Sequence, residues 1–292
     1  SRSSGSKTTI DIRGMGAQAK SNVLLMINGQ KLNNIDMSEI DYPIVTLESI
    51  ERIEIIKGNS ASVLYGDSAI GGAINIITSL ERLKNINDKI SYKIGSFNSR
   101  ELSIDKQTKI NNQKFNINFN HRATDGYRDE NEQIQNNINT ELVHKSDTSK
   151  HLFVFNFNEQ IMSTPSDRDQ NQLYSDRKGS DTPDDYINSL GGSVLYGGEK
   201  ELNKKSKLHI NSSLRVKNSY SDLQSTSYPS YNDTQLVNLQ FSPRIDQKFY
   251  VKSRNIDTSY GIDLQIADYK SYRKKNENAI ALHEYDGKQT IL

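Results

Sequence analysis

Residues 48–78 read ESIERIEIIKGNSASVLYGDSAIGGAINIIT, and this stretch decides the fold. Its first part alternates. Ile53 and Ile55 point one way and Glu54 the other, as in a half-buried strand. Gly58 breaks that strand. Tyr65-Gly66 and Gly71-Gly72 punctuate a run of small residues, and a second strand is expected from Ala73 to Thr78. Glycines this dense mark places where one backbone packs against another. The reading is a small, tightly folded unit. A phosphate-binding loop over Gly66–Gly72 is excluded, because the Lys-Ser/Thr that would touch phosphate and magnesium is missing.

Composition bounds the rest. The chain has 292 residues, a net charge of +1 and 34% hydrophobic residues; its mean hydropathy is -0.74. Disordered chains pair low hydropathy with high net charge, and this one does not. The longest apolar runs, such as Val23 to Ile27, are too short to span a bilayer as a helix. A transmembrane barrel escapes that objection, because its strands alternate lipid-facing apolar and lumen-facing polar residues. The balance of 37 basic and 36 acidic residues leaves no basic footprint for nucleic acid. With no Cys, disulfides play no part.

After residue 80 the texture changes to alternating strands rich in Asn, Ser and Lys. Phe115, Ile117 and Phe119 alternate with Asn116, Asn118 and Asn120. Ile90, Tyr92 and Ile94, then Leu214 and Val216, then Val237, Leu239 and Phe241 do the same against polar neighbours. Roughly nine such segments occur, each near the ~10 residues of a tilted membrane strand. Short polar turns at 111–113 and 145–150 alternate with longer loops at 122–133, 160–185 and 218–234. Outer-membrane barrels have short periplasmic turns and long extracellular loops. Alternation alone leaves a soluble β-sandwich or solenoid open beside the barrel.

The 48–78 stretch resembles the plug (cork) domain of TonB-dependent outer-membrane receptors. Two earlier stretches match the family in order: Ile10 to Gly16, IDIRGMG, and Asn22 to Asn33, NVLLMINGQKLN, with Asn28 where the family usually has Asp. The chain departs at Lys57-Gly58-Asn59, where the family prefers Arg-Gly-Pro; the charge is kept and the guanidinium fork is lost. The resemblance implies a mainly β chain. Residues 1–82 would be a small α+β plug domain, N-terminally incomplete, and residues 83–292 the first part of an antiparallel transmembrane β-barrel of about 22 strands. The chain is therefore expected to be an internal piece of a longer receptor, since neither a signal peptide, a TonB box nor a terminal aromatic is found.

The implied activity is energised uptake. The plug fills the barrel, a scarce chelate binds the outer loops and the plug's apical surface, and TonB with its inner-membrane energising complex displaces the plug. A ferric siderophore is expected first, with cobalamin or haem next. A ligand-sensing signal transducer and a surface-binding barrel without transport are the alternatives. The location implied is the outer membrane of a Gram-negative bacterium, with outer-membrane lipid around a monomer. No enzyme is expected, as no G-x-S-x-G or H-E-x-x-H occurs.

By the same resemblance, Arg13 and Lys57 occupy the plug positions whose cations pair with barrel glutamates, which are expected beyond Leu292. Gly14, Gly58, Gly66, Gly71 and Gly72 are read as structural. Plug segments 15–20 and 59–65 would face the ligand through Gln18, Ser60 and Tyr65. The outer loops hold Tyr127, Arg128, Tyr174, Tyr220, Tyr228 and Tyr231. Tyrosines with an Arg suit an aromatic, anionic chelate; an interfacial aromatic girdle is equally Tyr-rich. The 160–185 loop carries Asp167, Asp169, Asp176, Asp181, Asp184 and Asp185, without EF-hand spacing, and a solvated acidic loop is favoured over a calcium site. The five His residues are scattered without a ligand spacing, so neither a bound metal nor a resident cofactor is expected.

Overall fold

Five consecutive apolar residues, VLLMI, form β1 (Val23–Ile27), and all five are buried. A strand without alternation must be covered on both faces, and β1 is. Val23, Leu25 and Ile27 pack with Leu32 and Ile74 on one side, and Leu24 and Met26 with Ala69 and Ala73 on the other. In this computed structural model, residues 10–12, 14, 16, 19–33, 50–57, 69–78, 88–224, 229–251, 254–276 and 278–291 are described. One helical turn, α1 (Ala19–Asn22), leads into β1.

β1 turns into β2 (Gln30–Lys31) through Asn28 and Gly29, at φ 49° and 84°. Two left-handed residues in a two-residue loop make the tight hairpin whose twist matches its strands. β3 (Ile50–Lys57) and β4 (Gly72–Thr78) complete a sheet of order β2-β1-β4-β3. β1 and β4 run parallel, and the other pairs antiparallel. Asn33 extends the β2 side of the ladder with its side chain. Its Oδ1 accepts from Leu25 N at 2.8 Å, and its Nδ2 donates to the Val23 carbonyl at 2.9 Å.

The face expected to be buried in β3 is corrected. Ile53 and Ile55 are 53% and 56% exposed, and it is Ile56 that packs onto the Leu24–Met26 cluster. Register explains this. Among the described residues β3 is the sheet edge, paired with β4 alone, so Ile53 and Ile55 stand beyond the Val23–Leu25–Ile27 cover on the face they share with it.

The rest of the chain is one meander of 11 strands: β5 (Lys89–Gly95), β6 (Ser99–Ile110), β7 (Gln113–Thr124), β8 (Gln133–Lys145), β9 (Ser149–Ser163), β10 (Tyr186–Asn203), β11 (Ser206–Leu223), β12 (Ser230–Val251), β13 (Arg254–Gly261), β14 (Leu264–Lys274) and β15 (His283–Ile291). All neighbours are antiparallel. β12 is long enough to pair with β14 by residues 231–241 and with β13 by residues 244–251. Strands β6–β12 run from 12 to 22 residues, longer than the ~10 read from the pattern. The hydrogen-bonded ladder continues through polar residues where the apolar alternation has stopped. The long connections shrink accordingly to 125–132, 164–185 and 224–229, and Tyr220 and Tyr231 lie on β11 and β12 rather than in loops. The expected boundary at 82/83 falls in residues 79–87, outside the described ones.

The two faces of this wall reverse the usual order of a soluble sheet. Phe153, Phe155, Val216 and Val237 are each 45–47% exposed. The opposite face holds Asn118, Asn139, Asn156, Arg215 and Asn238, all buried. These form one row in strict register across β7 to β12, Asn118–Asn139–Asn156–Ser193–Arg215–Asn238. Within it Asn139 Nδ2 donates to Asn156 Oδ1 at 2.7 Å, and Asn156 Nδ2 to Ser193 Oγ at 3.2 Å.

Aromatic side chains bound the apolar face. Toward the short turns, His144, His151 and Tyr196 stack in line, with Phe153 against Tyr196. Toward the long loops, Tyr186 and Tyr220 meet edge to face at 5.9 Å. Along β10 the ten residue steps from Tyr186 to Tyr196 cover about 33 Å at ~3.3 Å per residue. Tilted by about 40°, that is a band near 25 Å tall, the height of an outer-membrane apolar belt. No helix among the described residues is long and apolar enough to cross a membrane.

Candidate functional site: the hairpin-to-wall clamp and the loop cap

The β1–β2 hairpin meets the polar face of the wall. Arg215, on β11, is 4% exposed and donates from Nη1 to the Leu32 carbonyl at 2.9 Å. One strand over, the Gln240 amide of β12 pairs with the backbone of Lys31. Its Oε1 accepts from Lys31 N at 3.3 Å, and its Nε2 donates to Lys31 O at 3.4 Å. Asn211 Nδ2 stands 3.6 Å from where a Cβ on Gly29 would be, so the hairpin tip also abuts the wall. Gly191 and Gly192 on β10 leave room beside Leu32, with a void of about 10 Å³ between them and Arg215, space for about one water. A side-chain amide and a guanidinium of the wall thus hydrogen-bond the backbone of Lys31 at the end of β2 and of Leu32 just after it.

At the long-connection end the loops are tied into a cap. Arg128 Nη2 donates to the carbonyls of Ser166 at 2.6 Å and Gly179 at 2.8 Å, joining the 125–132 and 164–185 loops. Asp129 N donates to the Lys178 carbonyl. The Lys178 ammonium sits 5.5 Å from the centre of the Tyr127 ring, which meets Phe97 edge-on. A short helix, α2 (Gln170–Ser175), is closed by a capping box between Asp169 and Gln172. Arg168, its side chain 6% exposed, bridges Asp176 and Asp181 at 3.0 and 2.9 Å. Asp185 is buried and accepts from Gln224 N. Asp169, Asp176 and Asp181 thus hold the loop's own shape, and Asp185 ties it to the connection after β11. Tyr174 on α2 is 82% exposed.

At the short-turn end, beyond the aromatic band, a charged network crosses β10, β11 and β12. Lys207 Nζ lies 3.0 Å from Glu199, and His209 Nε2 lies 2.9 Å from Asp246. Partial burial pushes Glu199 up, but the Lys207 hydrogen bond and charge outweigh it and hold the carboxyl below its ordinary value. Burial is again the largest influence on Asp246, and Ser259, Arg244 and His209 together reverse it, leaving that carboxyl lowered. The Glu199 hydrogen bond raises Lys207.

Of the plug residues singled out from sequence, Lys57 ends β3, exposed and paired in register with Gly72. Gly14 is exposed at φ 69°. Gly71 is buried and donates its N–H to the Asn22 carbonyl at 2.8 Å. Gly72 holds φ 142°, and a Cβ there would come within 2.7 Å of the Ile56 carbonyl. Arg13, Gln18, Gly58, Ser60, Tyr65, Gly66 and Tyr228 lie outside the described residues. Arg215 and Gln240 escape a reading of the sequence. Their only signal is a place on the polar side of alternating strands, shared with many Asn and Ser residues.

Residues 1–73 match the family model of the TonB-dependent receptor plug domain. The first quarter of the chain is thus similar to the plug domain of TonB-dependent receptors. Among curated relatives, the chain is 39% identical over 77 residues to the vitamin B12 transporter BtuB of Photobacterium profundum, covering 26% of this chain and 12% of the relative. It is 42% identical over 81 residues to the iron-regulated outer membrane virulence protein of Vibrio cholerae serotype O1, covering 25% and 12%. The fold of the chain is also that of solved structures. The ferric citrate transporter FecA, unliganded, superposes with a TM-score of 0.73 at 13% identity over 97% of this chain and 45% of FecA. The ferric yersiniabactin uptake receptor FyuA of Yersinia pestis gives 0.72 at 15% identity over 92% and 43%. The chain thus spans under half the length of the solved receptors it matches.

Proposed function

We propose that this chain is the plug and the first staves of an outer-membrane barrel that imports a scarce metal chelate, drawing energy through TonB. The observation that carries the reading is the pairing of a plug-family N-terminal unit with a wall that is apolar outside and polar inside, joined by the Arg215 and Gln240 clamp. Such a wall belongs in lipid, and a plug clamped to its polar face closes the lumen. The long connections then face outward and the short turns face the periplasm.

A ferric siderophore is the favoured cargo. The loop cap offers Tyr127 with its Lys178 ammonium and the exposed Tyr174, a surface for an aromatic, anionic complex. Arg128 serves this surface by fixing the loops that carry it. From the plug, Gln18, Ser60 and Tyr65 would complete the contact, and Arg13 and Lys57 would seat the plug. Cobalamin is the second cargo, since a vitamin B12 transporter is among the relatives.

The test is uptake by the full-length receptor in cells with and without TonB, using labelled ferric siderophores, haem and cyanocobalamin in parallel. Accumulation of one iron chelate only where TonB is present is expected. Equal entry in both strains would sink energised import, and TonB-dependent entry of cyanocobalamin alone would replace the cargo.

A further inference from the structure

Three outward side chains interrupt the apolar face at one level. His121 on β7, Asn136 on β8 and Glu159 on β9 stand opposite one another in register. They share the parity of Phe119, Ile138 and Phe157, which form the next row toward the short turns. The next row toward the long loops is Ala123–Ile134–Ile161. A polar row thus lies inside the belt with an apolar row on either side. Asn136 Nδ2 donates to Glu159 Oε2 at 2.9 Å, and Asn136 Oδ1 lies 2.7 Å from His121 Nδ1. An ionised carboxylate only accepts, so the amide turns its NH2 toward Glu159. Its oxygen then faces His121, whose Nδ1 carries a proton. Among the described residues no Lys or Arg pairs with Glu159.

A carboxylate without a cation is costly at membrane depth, and ionisable groups found there meet partners. We infer that this row is a contact between two copies of the receptor in the membrane, the His121 of each pairing with the Glu159 of the other. His121 and Glu159 lie one strand to either side of Asn136, about 5 Å away each, and a protonated imidazole is the charge that Glu159 lacks. A twofold axis along the membrane normal and through Asn136 keeps both copies inserted in the same sense. It lays β8 on the partner's β8 and brings each His121 to the side of the partner's Glu159. Both pairs form at once, as an isologous interface requires. Strand tilt makes the two walls cross, so the contact is confined to the surroundings of Asn136, where Ile134, Ile138, Phe119 and Phe157 supply packing. Polar side chains act as glue between apolar membrane segments. A lipid phosphate would meet His121 and be repelled by Glu159. The pairing departs from the monomer that the family resemblance implies, and it rests on the outer-membrane placement proposed above, not on the cargo.

The test counts copies per particle, by single-molecule photobleaching, of the full-length receptor in phosphatidylcholine vesicles and in phosphatidylethanolamine vesicles over a range of protein-to-lipid ratios. A dimer in both lipids is expected. H121E and E159H each leave like groups facing across the contact and should weaken the dimer about tenfold or more. H121E/E159H should restore it, because the Asn136 amide can turn over and serve the exchanged pair; a damaged fold does not produce that recovery. E159Q keeps the side-chain shape, removes the charge and should weaken the dimer as well. Single copies at every ratio, an unweakened dimer in E159Q, or a double variant no tighter than the singles overturns the contact. A dimer seen only in phosphatidylethanolamine assigns Glu159 to a lipid ammonium and overturns it too. Uptake with and without TonB is read separately, so a monomer that imports and a dimer that does not tell the two proposals apart.

Discussion

Arg215 Nη1 and the Leu32 carbonyl meet at 2.9 Å in a place closed to solvent, across 183 residues of sequence. That bond and the Gln240 pair beside it tie the small sheet to the large one. Replacing Arg215 by Ala leaves a buried carbonyl without its donor, which costs about 1–3 kcal/mol. The expected readout is greater leakage of small antibiotics through the full-length receptor in cells lacking TonB, with Gln240→Leu acting in the same direction. Leakage unchanged in the double variant would show that the clamp does not seat the plug.

Gly72 is the tightest point of the small sheet. Its φ of 142° and the 2.7 Å approach to the Ile56 carbonyl leave no space for a methyl group. Gly72→Ala is expected to cost about 1–3 kcal/mol through strain and backbone displacement. Thermal unfolding and limited proteolysis of the plug unit within the full-length receptor measure it. A variant as resistant as the parent would show that the β3–β4 contact gives way freely.

The charged network at the short-turn end predicts a pH dependence of one sign. Glu199 and Asp246 both have folded-state carboxyls lowered from their ordinary values. The folded chain therefore holds its carboxylates charged where the unfolded chain has begun to bind protons. The stabilisation is present above the ordinary values of 4.5 and 3.8 and is lost as pH falls through the lowered, folded-state ones. The variant E199Q/D246N should flatten the acid limb of the stability curve; an identical acid limb in parent and variant would assign the loss to other carboxylates.

Arg128→Ala removes two bonds that join the 125–132 and 164–185 loops. Protease sensitivity within 164–185 should rise, while Arg128→Lys, which keeps one charged donor, should recover part of the protection. Chelate affinity is expected to fall with loop order. An intact loop in the Ala variant would show that the Arg168 bridges to Asp176 and Asp181 suffice.

The sequence is most legible where one physical demand dominates. Val23 to Ile27 stands out in the sequence as an apolar run too short to cross a bilayer, and the fold shows it as a strand covered on both faces; Gly71 and Gly72 announce the backbone crowding that Gly72 shows against the Ile56 carbonyl. The alternation from Phe115 to Phe241 identifies the wall, since lipid imposes period two on one face. Ile53 and Ile55 mislead because alternation defines two faces without saying which one is covered, and edge position decides it. The loops look longer in sequence than in the fold because polar residues carry a strand past the belt without an apolar marker. α2 is hidden: its capping box at Asp169 and Gln172 lies in a run with no apolar period. Arg215 and Gln240 do not stand out, since their partners are main-chain atoms far away in sequence.

Those two side chains grip the amide and carbonyl groups of Lys31 and the carbonyl of Leu32. Recognition of this kind is blind to side-chain identity, so the hairpin and the staves can drift in sequence independently and still interlock. The tolerated changes have one sharp exception. Proline at position 31 would carry no N–H for Gln240 to accept, and evolution should avoid it there.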